Sequence, residues 1–298
     1  MIKVSVIVPI YNMGLYLEQC LDSLVSQSMT DKEIICINDG STDNTDYILR
    51  VYSKRYHCIK VINQENCGVG RTRNNGINFA QGEFVSFVDP DDWYPDEDIL
   101  DYLYDMAKEE NTLISGGSFS SYYNGNIKSV YDSGYTFSED KKLKYQDYQW
   151  DYGYHRFIYN LDMLRCHKIY FPEYKRYQDP PFFVKAMLQA GEFFGAKKIT
   201  YRYRIGHQNI DWTVEKTKDL LRGLIDNLKI SRKYKLAKLH YNTVNRINND
   251  FAKQISKHMQ DRQVIELIHV ANGYIDEKLL KEENLHMTIP YIHIPSSD

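Results

Sequence analysis

The sequence predicts an α/β fold in which a mostly parallel sheet with helices on both faces is followed by a helical C-terminal extension. Strand-like and helix-like patterns alternate from residue 3 to residue 88, and helical patterns follow residue 213. This alternation is the order that βαβ units produce. Sheets of this kind bind ligands at the carboxyl ends of their strands.

Each element has a local signal. Residues 3–8 form a continuous apolar run typical of a buried strand. Further strands are predicted at 33–37, 59–62 and 84–88, with helices between them. In the first helix, apolar residues recur with the spacing of one helix face, at Leu17, Cys20, Leu21, Leu24 and Val25.

Composition and charge favour a folded globular chain. Of the 298 residues 43% are hydrophobic and 26% are charged, and the net charge is −3. No run of 18 apolar residues occurs, and the first residues lack the features of a signal peptide. We therefore expect a cytoplasmic protein. The five cysteines show no CxxC spacing, so we expect them to be reduced. We expect no nucleic-acid partner.

An acidic cluster follows the fourth strand, where FVDPDDW places Asp89, Asp91 and Asp92 close together. Like charges repel by about 4 kcal/mol per pair at roughly 4 Å in an effective dielectric of about 20. A compensating partner is therefore expected, and hard cations such as Mg²⁺ and Mn²⁺ take carboxylate, phosphate and water oxygens. For so short a motif, a solvated acidic turn that caps a helix starting near Asp96 is the alternative.

Several stretches together resemble the inverting family 2 glycosyltransferases, which have the GT-A fold. In the expected order between residues 3 and 110 stand VSVIVPIYNMGLYLEQCLDSLVSQ, EIICINDGSTDNT, GVGRTRNNGI and FVDPDDWYPD. Later, RYQDPPFFVKAM is similar to the segment that carries the catalytic base in many bacterial members. YRYRIGHQNIDW is similar to a loop of polysaccharide-building members, and beyond residue 213 the resemblance gives no guidance.

The resemblance implies a metal-dependent inverting enzyme. It would move a hexose or N-acetylhexosamine from a UDP-sugar to a hydroxyl of a cell-surface glycan such as lipopolysaccharide or capsule, on an acceptor that can be lipid-linked. By this resemblance, residues 1–115 form the nucleotide-sugar-binding half of a domain. Residues 116–212 form its acceptor-binding and catalytic-base half. Independently of the resemblance, the helical patterns that follow residue 213 predict a helical C-terminal region at 213–298.

The resemblance also implies a metal and donor site. Asp91 would ligate Mn²⁺ or Mg²⁺, Asp89 would ligate it or face the ribose, and His207 would be a further ligand. The other donor-binding residues implied are Pro9, Tyr11, Asn12, Asp39, Arg73, Trp93 and Arg204. A plain structural role stays open for Asp39 as a turn aspartate, for Arg73 as a surface arginine, for Trp93 as a core residue and for His207 as a loop histidine.

The catalytic base that the resemblance implies is Asp179, which follows Gln178 where relatives often carry Glu. Pro180 and Pro181 predict that a helix starts here, so an N-cap is the alternative role. Asp151 and Asp211 are alternative bases.

Two other functions remain open: a non-catalytic carbohydrate-binding protein on the same fold, and a sugar nucleotidyltransferase. The second would carry a Gly-rich basic loop after the first strand, and none is present. Loss of the acidic pair or of the base would mark the first, and both are retained.

Tyrosines and basic residues cluster in two regions. Twelve of the 26 tyrosines lie between Tyr122 and Tyr177, as either a wall for stacking on sugar rings or ordinary sheet packing. Between Lys216 and Arg262 there are twelve Lys or Arg against four Asp. This bias fits either a solvated helical face or peripheral association with the inner leaflet of a membrane.

Overall fold

The computed structural model describes residues 1–128, 135–207 and 211–282. The chain divides into two compact units. The first comprises Met1–Tyr148, Tyr152–Glu173 and Lys185–Asn209, and the second Gln149–Asp151, Tyr174–Val184 and Ile210–Asp298. Of the helical region predicted at 213–298, the last sixteen residues lie outside the described part of the chain.

The first unit is built on one sheet, which has nine strands within the described residues. They are β1 (Val4–Ile10), β2 (Lys32–Asp39), β3 (Ile59–Gln64), β4 (Phe84–Phe87), β5 (Ile114–Tyr123), β6 (Asn126–Lys128), β7 (Lys141–Lys144), β8 (Phe157–Asn160) and β9 (Glu192–Arg204). Their order is β3-β2-β1-β4-β8-β5-β9-β7, and β6 pairs with β5. Strands β1 to β4 are mutually parallel, as are β5 and β9, whereas β6, β7 and β8 run antiparallel to their neighbours.

Helices connect these strands. They are α1 (Leu17–Val25), α2 (Thr45–Arg55), α3 (Val69–Phe79), α4 (Ile99–Glu109), α5 (Tyr145–Tyr148) and α6 (Leu161–Cys166), and α7 (Asp179–Ala190) follows with residues from both units. The face of α1 formed by Leu17, Cys20, Leu21 and Leu24 is buried, as its spacing predicts. Helix α7 is followed by Gly191 in the left-handed conformation, φ +71°, which glycine adopts without strain.

Strand β1 is buried along its whole length because β2 and β4 flank it in the sheet. A buried, hydrogen-bonded cluster around Glu33 links β1, β2 and β3. The buried carboxylate of Glu33 accepts hydrogen bonds from Ser5 Oγ (2.6 Å), Gln81 N (2.7 Å) and Lys60 Nζ (2.7 Å). All three bonds satisfy a charge that would otherwise be costly to bury.

The second unit is helical. It contains α8 (Val214–Tyr234), α9 (Ala237–Asn245), a π-helical turn at Arg246–Asp250, α10 (Ala252–Ser256), α11 (Arg262–Tyr274) and α12 (Glu277–Glu282). Thr213 caps α8 by accepting a hydrogen bond from Lys216 N at 3.3 Å. One apolar face of α8 is buried and consists of Leu220, Leu221, Leu224, Ile225 and Leu228. Among the described helices, none combines the length and the apolar composition that crossing a bilayer requires.

Some sequence-based boundaries differ from the structure. The helix after the acidic cluster begins at Ile99 rather than near Asp96. Strand β9 begins at Glu192, and its first residues pair with β7 and β5. Such pairing joins segments far apart in sequence and leaves no local periodicity to read.

Candidate functional site

The loops that follow β1 and β2 are joined by hydrogen bonds. Asn12 has φ +52° and accepts a bond from Thr42 N through Oδ1 at 2.7 Å, and its own N–H donates to Ser41 Oγ at 3.0 Å. A Cβ atom at Gly14 would lie 1.7 Å from Asn44 Oδ1, so a larger residue here would require the Asn44 side chain to move. Hydrogen bonds therefore join the two loops into one rim at the carboxyl ends of the parallel strands.

Asp39 connects the end of β2 to the start of α3. Its buried carboxylate accepts hydrogen bonds from Gln64 Nε2 (2.7 Å), Cys67 N (2.9 Å) and Gly68 N (3.0 Å). Both carboxylate oxygens thus fix the Cys67–Gly68 turn, where Gly68 has φ +88°.

Within the chain, Arg73 is the cation that compensates Asp89. Arg73 Nη2 lies 2.7 Å from Asp89 Oδ1, and the two side chains are 4% and 23% exposed. Tyr154 OH donates to the same oxygen at 3.2 Å, and the Arg73 guanidinium lies 5.0 Å from the Tyr154 ring centre. Burial alone would raise the pKa of Asp89, but the charge and hydrogen bond of Arg73 outweigh it and hold that pKa below its usual range.

Asp91 faces a different partner, His207. Asp91 Oδ2 lies 2.7 Å from His207 Nε2, and each side chain is 14% exposed. Burial, followed by the charge of Asp89, raises the pKa of Asp91, and His207 opposes this shift. The His207 ring packs edge-on against the Tyr16 ring, with 4.9 Å between the ring centres. His207 Nδ1 is buried and has no hydrogen-bond partner among the described residues.

Asp92 anchors the acidic loop to β9. It is 1% exposed and accepts hydrogen bonds from Tyr201 OH (2.8 Å) and Arg204 N (2.7 Å). Burial, followed by the charges of Asp91 and Asp89, raises its pKa well above the usual range. The three neighbouring carboxylates therefore have three different surroundings.

Arg204 and Trp93 complete the cluster. Arg204 Nε donates to the backbone oxygen of Asp91 at 2.8 Å, and its guanidinium lies 4.8 Å from the centre of the Trp93 ring. Trp93 is 8% exposed and forms a two-way backbone bridge with Arg202, at 3.3 Å and 2.9 Å. Cation–π contact and backbone pairing thus join the acidic loop to β9 a second time.

Residues 5–168, more than half of the chain, match the family model described as Glycosyl transferase family 2. The chain belongs to glycosyl transferase family 2. The family predicted from the motifs is thereby confirmed.

Two relatives in family 2 share about a third of their aligned residues with this chain. EpsH of Bacillus subtilis, named a putative glycosyltransferase, is 32% identical over 214 residues, which cover 68% of this chain and 60% of EpsH. The poly(ribitol-phosphate) beta-glucosyltransferase of Bacillus spizizenii is 32% identical over 209 residues, which cover 68% of this chain and 32% of that enzyme. The chain thus spans less than two thirds of either relative.

Solved structures share the fold. Staphylococcus aureus TarS, residues 1–349, in complex with UDP superposes with a TM-score of 0.75 and 25% identity, over 93% of this chain and 82% of TarS. The Pyrobaculum calidifontis mannosyltransferase PcManGT, in complex with GDP-Man and Mn²⁺, gives a TM-score of 0.61 and 16% identity, over 95% of this chain and 83% of the other. These likenesses confirm the predicted fold class, an α/β GT-A-like sheet followed by a helical C-terminal region.

The structure gathers some of the residues that the family 2 resemblance singled out. One contact network contains Arg73, Asp89, Asp91, Trp93, Arg204 and His207. Asn12 and Asp39 belong to the separate loop networks described above, Pro9 is buried in β1, and Tyr11 is 47% exposed at the end of that strand. Their roles in binding a ligand stay predictions.

Sequence reasoning missed Tyr154, Tyr201 and Tyr16, which contact the acidic loop or His207. Tyr154 belongs to the tyrosine-rich stretch, and Tyr16 and Tyr201 stand in stretches that carry the family resemblance, but none of the three was assigned a role. In that stretch Tyr145, Tyr148, Tyr154, Tyr159 and Tyr177 are all buried, which favours packing over sugar stacking for these five.

Asp179 belongs to the second unit, as the first residue of α7, and is partly exposed. Of the two alternative bases, Asp151 is fully buried and forms an ion pair with Arg246. A carboxylate so engaged is not available to an incoming hydroxyl, because proton transfer needs direct hydrogen-bond reach. Asp211 is exposed.

No group of three or more His, Cys, Asp or Glu side chains is arranged to hold a metal ion in the part of the chain that the structure describes.

Proposed function

We propose that this chain is a metal-dependent inverting glycosyltransferase. It transfers a hexose or N-acetylhexosamine from a UDP-sugar to a hydroxyl of a cell-surface glycan. The observation that carries the proposal is the acidic loop after β4, in which Asp91 faces His207 at 2.7 Å while Asp89 is paired with Arg73. Asp89 is thus neutralised by Arg73, whereas Asp91 lies beside an imidazole nitrogen, which can also ligate a metal ion.

The donor proposal rests on relatives. TarS binds UDP and UDP-GlcNAc in its crystal structures, and the B. spizizenii relative is named a glucosyltransferase of poly(ribitol phosphate). Both names fit a UDP-sugar donor and a hydroxyl-bearing polymer of the cell envelope as acceptor.

The side chains at the acidic loop fit a divalent cation. Asp91 and His207 would hold it, because an oxygen and an imidazole nitrogen already converge to hydrogen-bond distance. Mg²⁺ is commonly bound by one or two protein groups together with substrate phosphates and water, so two side chains suffice. A bound Mn²⁺ or Mg²⁺ would neutralise charge that develops on the leaving diphosphate. Asp89, whose Oδ1 already accepts from Arg73 and Tyr154, would orient this loop or contact the ion's water shell.

Two further roles complete the mechanism. Asp179 takes the proton of the acceptor hydroxyl as that oxygen attacks the anomeric carbon, and the nucleoside diphosphate leaves from the opposite face, which inverts the configuration. Arg204 and Arg73 add positive charge to the acidic loop, where a diphosphate would otherwise be repelled.

We also propose that the protein works in the cytoplasm, in peripheral contact with the inner membrane leaflet. The support is the excess of Lys and Arg between residues 216 and 262. Among the described residues, Lys218, Arg222, Arg246 and Arg262 form ion pairs. The proposal therefore rests on exposed cations such as Lys235, Lys253 and Lys257, each worth about 1 kcal/mol near an anionic surface.

Release of UDP from UDP-GlcNAc, with Mn²⁺ or with EDTA, tests the enzyme proposal. We expect slow Mn²⁺-dependent release by the wild type, and loss of both release and Mn²⁺-dependent UDP binding in Asp91→Asn with an unchanged unfolding temperature. Asp96→Asn is the matched control, since it makes the same change on an exposed side chain nearby. Undiminished release in EDTA would contradict the metal role, and UDP-GlcNAc binding without any release would favour a binding protein.

A further inference from the structure

Tyr177 has a strained backbone two residues before Asp179. Its φ is +66°, in the left-handed region. Bulky residues rarely adopt this conformation, because Cβ crowds the backbone carbonyl. It persists only where the surroundings over-determine it, and such positions cluster at functional sites.

A buried polar network holds the Tyr177 side chain. Its hydroxyl donates to Asp151 Oδ2 at 3.2 Å and accepts from Arg246 Nη1 at 2.8 Å. Asp151 Oδ2 also accepts from Asn227 Nδ2 at 2.8 Å and pairs with Arg246. All four side chains are at least nine-tenths buried, so each bond is made away from competing water.

Helix α8 holds the backbone of the same segment. Asp219 and Gly223 are one turn apart on this helix and so share a face. Asp219 Oδ2 accepts from Lys175 N at 2.9 Å. A Cβ atom at Gly223 would lie 2.7 Å from both the carbonyl oxygen and Cδ1 of Tyr177. Glycine at this position therefore lets the strained residue lie directly against the helix.

Arg246 lies in an irregular turn of the helical unit. It is the first residue of the π-helical turn Arg246–Asp250, a type of turn that is rare and frequently found at functional sites. The turn separates α9 from α10 at the residue whose guanidinium reaches Asp151 and Tyr177.

We propose that Tyr177 is a positioning residue for Asp179, and that Asp151 and Arg246 keep it in its left-handed conformation. This inference rests on the proposed role of Asp179 as the base. A base acts only within hydrogen-bond reach of the proton that it takes, and a misplacement of about 1 Å can cost roughly 10²-fold in rate. If the network were released, Tyr177 would relax toward an extended backbone and shift the residues that follow it.

Hydrogen exchange in the full chain tests the structural half without any ligand. Tyr177→Phe keeps the ring and removes only the hydroxyl. We expect the amides of residues 176–179 to exchange about fivefold faster or more, which corresponds to the loss of one buried hydrogen bond. The matched control is Tyr104→Phe, which loses a hydroxyl bond to Glu83 of 2.7 Å in the first unit and should leave this segment unchanged. Wild-type exchange at residues 176–179 in Tyr177→Phe would overturn the proposal.

A kinetic cycle tests the functional half, with UDP release from UDP-GlcNAc and Mn²⁺ as the assay. Tyr177→Phe should lower kcat about tenfold or more with little change in KM. Arg246→Lys, which keeps the positive charge, should retain more activity than Arg246→Met. In an Asp179→Asn background, Tyr177→Phe should cause no further loss, because residues that act as a unit are not additive.

The outcomes separate the two proposals. If the losses from Tyr177→Phe and Asp179→Asn multiply, Tyr177 acts independently of Asp179 and the positioning role is wrong. If Asp179→Asn alone keeps the wild-type rate, the assignment of Asp179 as the base is wrong, and the positioning role of Tyr177 is wrong with it. The hydrogen-exchange result still tests whether the Tyr177 hydroxyl holds the backbone of the residues before Asp179.

Discussion

Removing Arg73 should destabilise the protein by leaving Asp89 unpaired beside Asp91 and Asp92. The pair that would be broken has an N–O distance of 2.7 Å, with Arg73 4% and Asp89 23% exposed. Breaking a buried ion pair costs about 3–5 kcal/mol, and the partial exposure of Asp89 favours the lower end, about 3 kcal/mol. We therefore expect Arg73→Met, which keeps an apolar stem against Tyr154, to unfold at clearly lower urea concentration at pH 7.

Adding Asp89→Asn to that variant should recover about 1–2 kcal/mol, because it removes the unpaired charge. The matched control is Arg165→Met, which deletes a guanidinium that donates to three backbone carbonyls near the end of α3 and contacts none of the acidic residues. In the Arg165→Met background, Asp89→Asn should lower the free energy of unfolding further instead of restoring it. If Asp89→Asn fails to restore stability in the Arg73→Met background, charge compensation does not explain this pair.

Three further outcomes are expected. Asp179→Asn should lower UDP release from UDP-GlcNAc by about 10²-fold or more while UDP affinity stays near wild type, and a near-normal rate would mean that another group is the base. Burial by itself would raise the pKa of Glu33, but hydrogen bonds, above all that from Lys60, outweigh it and hold this pKa below its usual range. Its stabilisation is therefore full above the unfolded pKa of about 4.3 and lost as pH falls through the lower folded pKa. Glu33→Gln should accordingly be less stable than wild type at pH 7 by about 1.5–3 kcal/mol, with the gap narrowing as the pH falls below about 4; a gap in urea midpoint that does not narrow over that range would contradict this. The protein should float with anionic liposomes at low salt and be released at high salt, and flotation independent of anionic lipid would refute a role for the 216–262 cations.

The sequence predicted the N-terminal half of the sheet well because its signals are local. Each of the strands β1 to β4 is a short apolar run next to a helix with 3.6-residue periodicity, and burial alone produces both patterns. The position of β9 between β5 and β7 had no such signal, since it depends on partners far away in the chain.

The same limit applies to the candidate site. The crowding of Asp89, Asp91 and Asp92 predicted a compensating partner, and a metal was the expectation. For Asp89 the structure provides Arg73, sixteen residues earlier, which sequence reasoning had assigned to the nucleotide without connecting it to the acidic loop. Side-chain pairing across elements depends on how α3 packs beside β4, and no spacing rule encodes it.

The contacts of Asp92 bear on how far the family 2 module can be separated from the rest of the chain. The family model ends at residue 168, yet Tyr201 and Arg204, which satisfy the buried Asp92, lie more than thirty residues later. A fragment cut at that boundary would leave this carboxylate without both donors. It would also expose the edge of β5 that β9 covers, and open edges of this kind promote aggregation. The region that sequence comparison recognises as a domain is therefore not a unit of folding, and excision or grafting should follow the sheet and extend at least through β9.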